Sequence, residues 1–75
     1  MPVRRYAVYE KSKRREAARL VRDHARAQGP EQTAAFLTRS GLEISETTVR
    51  RILKGDRPRR KAAHAICAIL NGRKA

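Results

Sequence analysis

The sequence has few of the residues from which disulfides, metal sites and large cores are built. Its 75 residues include no tryptophan, one cysteine (Cys67) and three aromatic side chains, Tyr6, Tyr9 and Phe36. A single cysteine excludes an internal disulfide, and two histidines and one cysteine far apart in the chain do not make a metal site. We therefore expect neither a metal nor a cofactor.

Long apolar runs are missing as well. No stretch approaches the roughly 18–20 apolar residues that span a bilayer. The N-terminus lacks the apolar core of a signal peptide, so we expect a cytoplasmic protein without membrane association. A chain of this length builds one domain with a thin core and little room for an enclosed pocket. With no paired nucleophile and base and no glycine-rich phosphate loop, the sequence does not predict an enzyme.

Acidic residues are scarce. Seven Asp and Glu oppose 19 Lys and Arg, which gives a net charge of +12. Residues 1–15 have six bases and one acid, residues 50–61 have seven bases and one acid, and residues 31–49 have one base and three acids. Two basic blocks therefore flank a mildly acidic middle. Such a chain attracts polyanions, and nucleic acid is the first candidate.

The first eleven residues predict an extended basic arm. Four residues of this segment favour an extended chain with room for one short strand; they are Val3, Tyr6, Val8 and Tyr9. A helix is predicted from Ser12, a candidate N-cap, to Gln28, because Gly29 stops it.

The predicted helix 12–28 has an apolar side and a basic side. Its apolar stripe consists of Ala17, Leu20, Val21, His24 and Ala25. We interpret His24 as a packed or interfacial residue and not as a metal ligand. The other side carries Arg15, Arg19, Arg22 and Arg26, with Glu16 and Asp23 available for pairing.

Three further helices follow from glycine and proline positions. Pro30 suits a first helical position, and we predict a helix over 30–39 with Ala34, Ala35, Phe36 and Leu37 on its buried side. Ser45 is a candidate N-cap for a helix over 46–54, whose inward residues are Val49, Ile52 and Leu53. Leu42 and Ile44, in the turn between these helices, are expected to fill the core.

The fourth helix begins near Pro58 and ends at residues 71–72. Its buried stripe is Ala62, Ala63, Ile66, Ile69 and Leu70. Cys67 borders this stripe as a small apolar filler.

Residues 32–55 read QTAAFLTRSGLEISETTVRRILKG. A short helix, a turn with a glycine, a serine N-cap and a helix with two apolar anchors follow one another, and this order resembles a helix-turn-helix. The continuation, ILKGDRPRRKAAHAICAILNG, is similar to phage-repressor and Cro-type proteins. The turn at 38–44 is longer than in that family and is more like that of transposase and arginine-repressor types.

The resemblance covers roughly residues 13–72. It implies an all-α domain of four to five helices, which we expect over residues 12–72. The residues outside it are predicted as the basic N-terminal arm (1–11) and a short tail (73–75).

Helix 46–54 has a polar face that suits the major groove of DNA. If Val49 and Ile52 face inward, the opposite face is polar and basic. Arginine takes guanine O6 and N7 bidentately, and threonine contacts the thymine methyl. The predicted base contacts are Thr47, Thr48, Arg50, Arg51 and Lys54. Arg50 is the first choice among them. Glu46 is interpreted as an acid at the positive end of the helix.

Phosphate contacts are predicted at positions around this helix. Three lie at helix starts, namely Gln32, Thr33 and Ser45. Four follow the helix, namely Arg57, Arg59, Arg60 and Lys61. Three lie at or near the arm, namely Arg4, Arg5 and Arg14.

Together these features predict a sequence-specific, double-stranded DNA-binding transcriptional regulator of prokaryotic, phage or plasmid type. A repressor is the simplest form, since 75 residues leave little space for an activating or sensing domain. Such proteins bind as two-fold dimers, so we expect a homodimer located at the nucleoid. The candidate dimer surfaces are Ala65, Ile69 and Leu70, or Tyr6 and Val8.

Three alternatives to this DNA-binding regulator remain open. An RNA-binding module is compatible with basic helices, although only Tyr6 and Tyr9 offer aromatic platforms. A ribbon-helix-helix dimer would use VRRYAVY as a DNA-reading strand but leaves the fourth helix unexplained. A small inhibitor or adaptor would use the helix-turn-helix scaffold to bind another protein.

Overall fold

The computed structural model describes the backbone of residues 2–72 and the side chains of residues 11–71. Four helices follow one another: α1 (Pro2–Gln28), α2 (Pro30–Arg39), α3 (Glu46–Leu53) and α4 (Arg60–Gly72). No strand occurs in residues 2–72, so the expected all-α class with at least four helices is confirmed. The predicted tail at 73–75 lies outside the described residues.

Glycines end the helices where the sequence indicates. Gly29 has φ +91° and separates α1 from α2, and Gly55 has φ +125° just after α3. Positive φ values of this kind are costly for residues with a Cβ. Pro30 begins α2, as expected, because a first helical position needs no backbone N–H donor.

The N-terminus differs from the prediction. Residues 2–11 continue α1 as one helix of 27 residues, so Ser12 lies inside the helix and is not an N-cap. Pro2 occupies a starting position that proline tolerates. The valines and tyrosines that favoured a strand cost a helix only a few tenths of a kcal/mol each, and Arg, Ala, Glu and Lys between them favour it. The ribbon-helix-helix alternative needed a strand here and is excluded.

The core lies along α1, which packs against each of the other three helices. The buried apolar residues are Ala17, Ala18, Val21, Ala25, Ala34, Leu37, Val49, Ile52, Ala63, Ile66 and Cys67. Leu42 and Ile44 are half-buried against this core, as the sequence predicts. Burial raises the pKa of the Cys67 thiol, and the neighbouring Glu16 carboxylate adds to the shift.

Several burial predictions need correction. Leu53 is 37% exposed, because it lies on the flank of α3 and not on the face that bears Val49 and Ile52. Ala35 is exposed, whereas Ala18, which was not part of the predicted stripe, is buried. The fourth helix begins at Arg60, two residues after Pro58, whose ring is buried in the loop before it.

His24 joins α1 to α2, which confirms its interpretation as a packed residue. Its Nδ1 lies 2.8 Å from Thr33 Oγ1, and that hydroxyl donates to the Gly29 carbonyl at 2.9 Å. The hydroxyl proton is therefore used, so Nδ1–H is the donor to Thr33. The His24 ring also stacks on Phe36, with the centroids 5.3 Å apart.

Within the described chain, no helix combines the length and the apolar character needed to cross a membrane.

Truncation of one core leucine tests this arrangement. Leu37→Ala should lower the free energy of unfolding by about 2–5 kcal/mol, because Leu37 is fully buried and the site cannot collapse completely. The matched control is Leu53→Ala, the same change at a partly exposed position, which should cost much less. Urea unfolding followed by circular dichroism measures both. Equal losses would contradict the observed orientation of α3.

Candidate nucleic-acid interface

Helix α3 is held in place from its first residue. Ser45 has extended backbone angles, and its Oγ accepts the backbone N–H of Thr48 at 3.2 Å, which confirms the predicted N-cap. The Thr48 hydroxyl also lies 3.1 Å from Ser45 Oγ. In the preceding turn, Thr38 Oγ1 donates to the Ile44 carbonyl at 3.1 Å and the Leu42 N–H donates to Leu37. These bonds fix where α3 starts.

Two buried side chains fix which face of α3 points outward. Val49 is 0% exposed and Ile52 is 1% exposed. Thr47, Arg50, Arg51 and Lys54 lie on the other side of the helix, and Thr48 lies on its flank. All five predicted base-contact residues are exposed. The α3 face, as we call these five residues, is thus a single polar and basic surface without an acidic member.

Glu46 and Arg50 form an ion pair on the edge of this face. Arg50 Nε donates to Glu46 Oε2 at 2.8 Å, and Nη2 lies 2.6 Å from the same oxygen. Glu46 is in the first turn of the helix, as predicted, but its contact with Arg50 was missed. The i,i+4 spacing of an acid and an arginine was the available signal. The pair uses only some of the five guanidinium donors.

A groove of about 760 Å³ runs beside α3 and brings several predicted residues together. Its apolar floor includes Leu42, Ile44, Ile52 and Pro58. The predicted site residues on its walls are Ser45, Thr48, Arg51, Arg57 and Arg59, and two acids, Glu43 and Asp56, also line it. Thr47, Arg50 and Lys54 are not part of the groove. The predicted residues that line it come from the N-cap of α3, from α3 itself and from the loop that follows it.

The loop between α3 and α4 is tied to α1 by Arg14. The Nε of this half-buried side chain donates to the Pro58 carbonyl at 2.9 Å, across 44 positions in the chain. The Asp56 N–H donates to the Arg51 carbonyl at 3.0 Å and closes the other end of the loop. Arg14 was predicted to bind phosphate; the structure shows it in a different contact, which positions the loop bearing Arg57 and Arg59.

The remaining predicted phosphate contacts have different outcomes. Gln32 is exposed on the first turn of α2, and Arg57, Arg59, Arg60 and Lys61 are exposed in the loop and the start of α4. Thr33 is 0% exposed and its hydroxyl is bonded to Gly29 and His24, so its prediction as a phosphate contact is wrong. The side chains of Arg4 and Arg5 lie outside the described residues.

The two candidate dimer surfaces are placed differently. Ala65, Ile69 and Leu70 are half-buried on α4, and Ile69 and Leu70 already pack against the core. The side chains of Tyr6 and Val8 lie outside the described residues. Among the residues that the structure describes, no three His, Cys, Asp or Glu side chains form a group that could hold a metal.

No family model, curated protein or solved structure matches this chain.

The cap of α3 can be tested by one substitution. Ser45→Ala should lower the free energy of unfolding by about 0.5–2 kcal/mol, because the Thr48 N–H loses its acceptor. Ser40→Ala, at an exposed residue just after α2, is the control and should have a smaller effect. Chemical denaturation measures both. A loss no larger than that of the control would show that Ser45 does not stabilise the helix start.

Proposed function

We propose that this protein binds double-stranded DNA in a sequence-specific way by placing α3 in the major groove. The observation that supports this most strongly is the α3 face. Four of its five exposed residues lie opposite the anchors Val49 and Ile52, and the fifth, Thr48, lies on the flank. A helix fits the major groove, where the four base pairs differ in their donors and acceptors. Arginine and threonine are residues able to read those differences.

The charges after α3 support phosphate binding on one side of the helix. Arg57 and Arg59 line the groove beside Arg51, and Arg60 and Lys61 follow in the first turn of α4. Two cations at the start of a helix are unfavourable, because this end of the helix dipole is already positive. A bound phosphate would offset that repulsion. We assign these residues to the DNA backbone, where they position the protein without reading sequence.

We further propose that the protein acts as a repressor that occupies an operator and that it binds as a homodimer of prokaryotic helix-turn-helix type. Occupying an operator requires only DNA binding, and the α3 face is the surface that we assign to it. A two-fold dimer would contact two half-sites about one helical turn, or 34–36 Å, apart.

Selection of bound sequences from a pool of random duplexes, at moderate salt, tests this function. An enriched inverted repeat with half-sites about one turn apart is the expected result. An enriched but asymmetric site would overturn the dimer and keep the DNA-binding proposal. Absence of any enrichment would overturn sequence-specific DNA binding and favour an RNA or a protein partner.

Arg50 should carry much of the sequence discrimination. Arg50→Ala is expected to lose about 1–3 kcal/mol of preference for the selected site over random duplex, the contribution of one bidentate arginine–guanine contact. Arg39→Ala, the same change at an exposed arginine outside the α3 face, is the control and should keep the preference. Competition binding with both duplexes gives the ratio. Equal weakening on both would make Arg50 a phosphate contact.

Arg59 and Arg60 should contribute equally to the affinity for every DNA sequence. The double variant Arg59→Ala, Arg60→Ala is expected to weaken binding to selected and random duplexes by the same factor. It should also reduce the slope of log affinity against log salt by about 2, since each lost phosphate contact releases fewer counterions. Titrations at several salt concentrations measure the slope. An unchanged slope would remove these two residues from the interface.

A further inference from the structure

One side of α1 carries five basic residues outside the interface described above. They follow one another at spacings of four, four, three and four residues, which keeps them on one side of an α-helix. The residues are Lys11, Arg15, Arg19, Arg22 and Arg26, and we call them the α1 stripe. At 1.5 Å per residue the stripe extends for about 22 Å.

The stripe is accessible, and neighbouring acids do not neutralise it. All of its residues are exposed except Arg22, which is half-buried. Glu16 was expected to pair with these arginines, but its carboxylate accepts a hydrogen bond from Asn71 Nδ2 at 2.7 Å. Asp23 is the other acid in this part of α1. Within the portion of the chain whose side chains are described, no ion pair joins Asp23 or Glu16 to the stripe.

The alignment of five cations on one side of α1 lowers the stability of the helix when no ligand is bound. Cations three and four residues apart on a helix repel one another and destabilise it. Solubility does not require this alignment, because interspersed charges of both signs serve that purpose. A polyanion lying along α1 would remove the repulsion, and the charge of the stripe is therefore complementary to a phosphate backbone.

We propose that the α1 stripe is a second surface for duplex DNA, which binds phosphates independently of the α3 face. B-DNA has one phosphate charge per about 1.7 Å of its axis when both strands are counted, so a duplex lying against α1 offers negative charge along the whole stripe of about 22 Å. Because phosphate contacts contain no sequence information, the stripe holds the protein on DNA of any sequence while α3 samples base pairs. This proposal rests on the proposed function in taking duplex DNA as the ligand.

Two variants with four substitutions each test the stripe. In the stripe-Gln variant, Arg15, Arg19, Arg22 and Arg26 are all replaced by Gln, which preserves helix propensity and removes the charge. In the stripe-Lys variant the same four are replaced by Lys, which keeps the charge. The probe is a fluorescent duplex of about 20 base pairs and random sequence, titrated by anisotropy at several salt concentrations.

The expected result depends on charge alone. The stripe-Gln variant should lower the magnitude of the slope of log affinity against log salt by about 3–4, since four phosphate contacts are lost. Its affinity for random duplex at low salt should fall at least about tenfold by the same counterion argument. The stripe-Lys variant should stay within about twofold of the unmodified protein, because lysine also binds phosphate as a point charge. An unchanged slope in the stripe-Gln variant overturns the proposal.

Combining substitutions on both surfaces tests whether the α1 stripe binds DNA independently of the α3 face. The α3-Gln variant replaces Arg50, Arg51 and Lys54 by Gln, and a fourth protein contains both sets of changes. Losses in log affinity for random duplex should add, as expected for separate sites. The stripe-Gln variant should retain the preference for the selected sequence. Strongly non-additive losses, or loss of that preference in a folded stripe-Gln variant, would show that the two surfaces are one site.

The outcomes separate the two proposals. If the unmodified protein binds duplex without sequence preference while the stripe-Gln variant loses its salt slope, the proposed function fails and the stripe proposal stands. If sequence preference is present and the slope is unchanged in the stripe-Gln variant, only the stripe proposal fails. A protein that binds no duplex overturns both.

Thermal unfolding gives a readout without DNA. Because the stripe repels itself, the stripe-Gln variant should have a higher Tm than the unmodified protein at low salt, and the difference should shrink as salt screens the charges. The stripe-Lys variant, which retains the repulsion, should lack this gain. A lower Tm in the stripe-Gln variant at all salt concentrations would show that the arginines stabilise the fold, against the proposal.

Discussion

The rotation of α3 about its own axis is the constraint on which the surface of this protein depends. Val49 and Ile52 are the only two buried side chains of that helix, and both insert into the core that surrounds α1. Once they are placed, the helical period places Thr47, Arg50, Arg51 and Lys54 on the opposite side. The Ser45 cap fixes the start of the same helix. Direction and register of the basic face therefore follow from a few apolar contacts and one serine.

Much of the fold could be predicted because its boundaries coincide with residues of special backbone chemistry. Gly29 and Pro30 mark the junction of α1 and α2, and both helix ends were predicted to the residue. Gly55 ends α3 because its φ of +125° suits a residue without Cβ. The N-terminal segment has no glycine or proline between Pro2 and Gly29. Its valines and tyrosines suggested a strand, but no glycine interrupts the run of helix-forming residues and the helix continues to Pro2.

The exposed residues of the candidate site could be predicted better than the hydrogen bonds that hold the neighbouring elements in place. The five residues of the α3 face follow from periodicity once the inward anchors are known. Thr33 was misassigned, and the contact of Arg14 with the loop after α3 was missed, because both side chains bond to groups outside their own helices. The hydroxyl of Thr33 meets His24 of α1, and the Nε of Arg14 meets the carbonyl of Pro58, 44 positions away. No local sequence pattern indicates that such a polar side chain is hydrogen-bonded to another helix or loop.

The separation of buried and exposed residues on α3 affects which substitutions the helix tolerates. The apolar residues that anchor the helix and the residues opposite them do not overlap, since Val49 and Ile52 are buried and Thr47, Arg50, Arg51 and Lys54 are exposed. Substitutions on exposed helix positions away from caps usually alter stability little. The outer surface of α3 can therefore be changed one side chain at a time, at Thr47, Arg50, Arg51 or Lys54, without a matching change in the core. The chemistry of this surface can thus change while the architecture of the four helices stays the same.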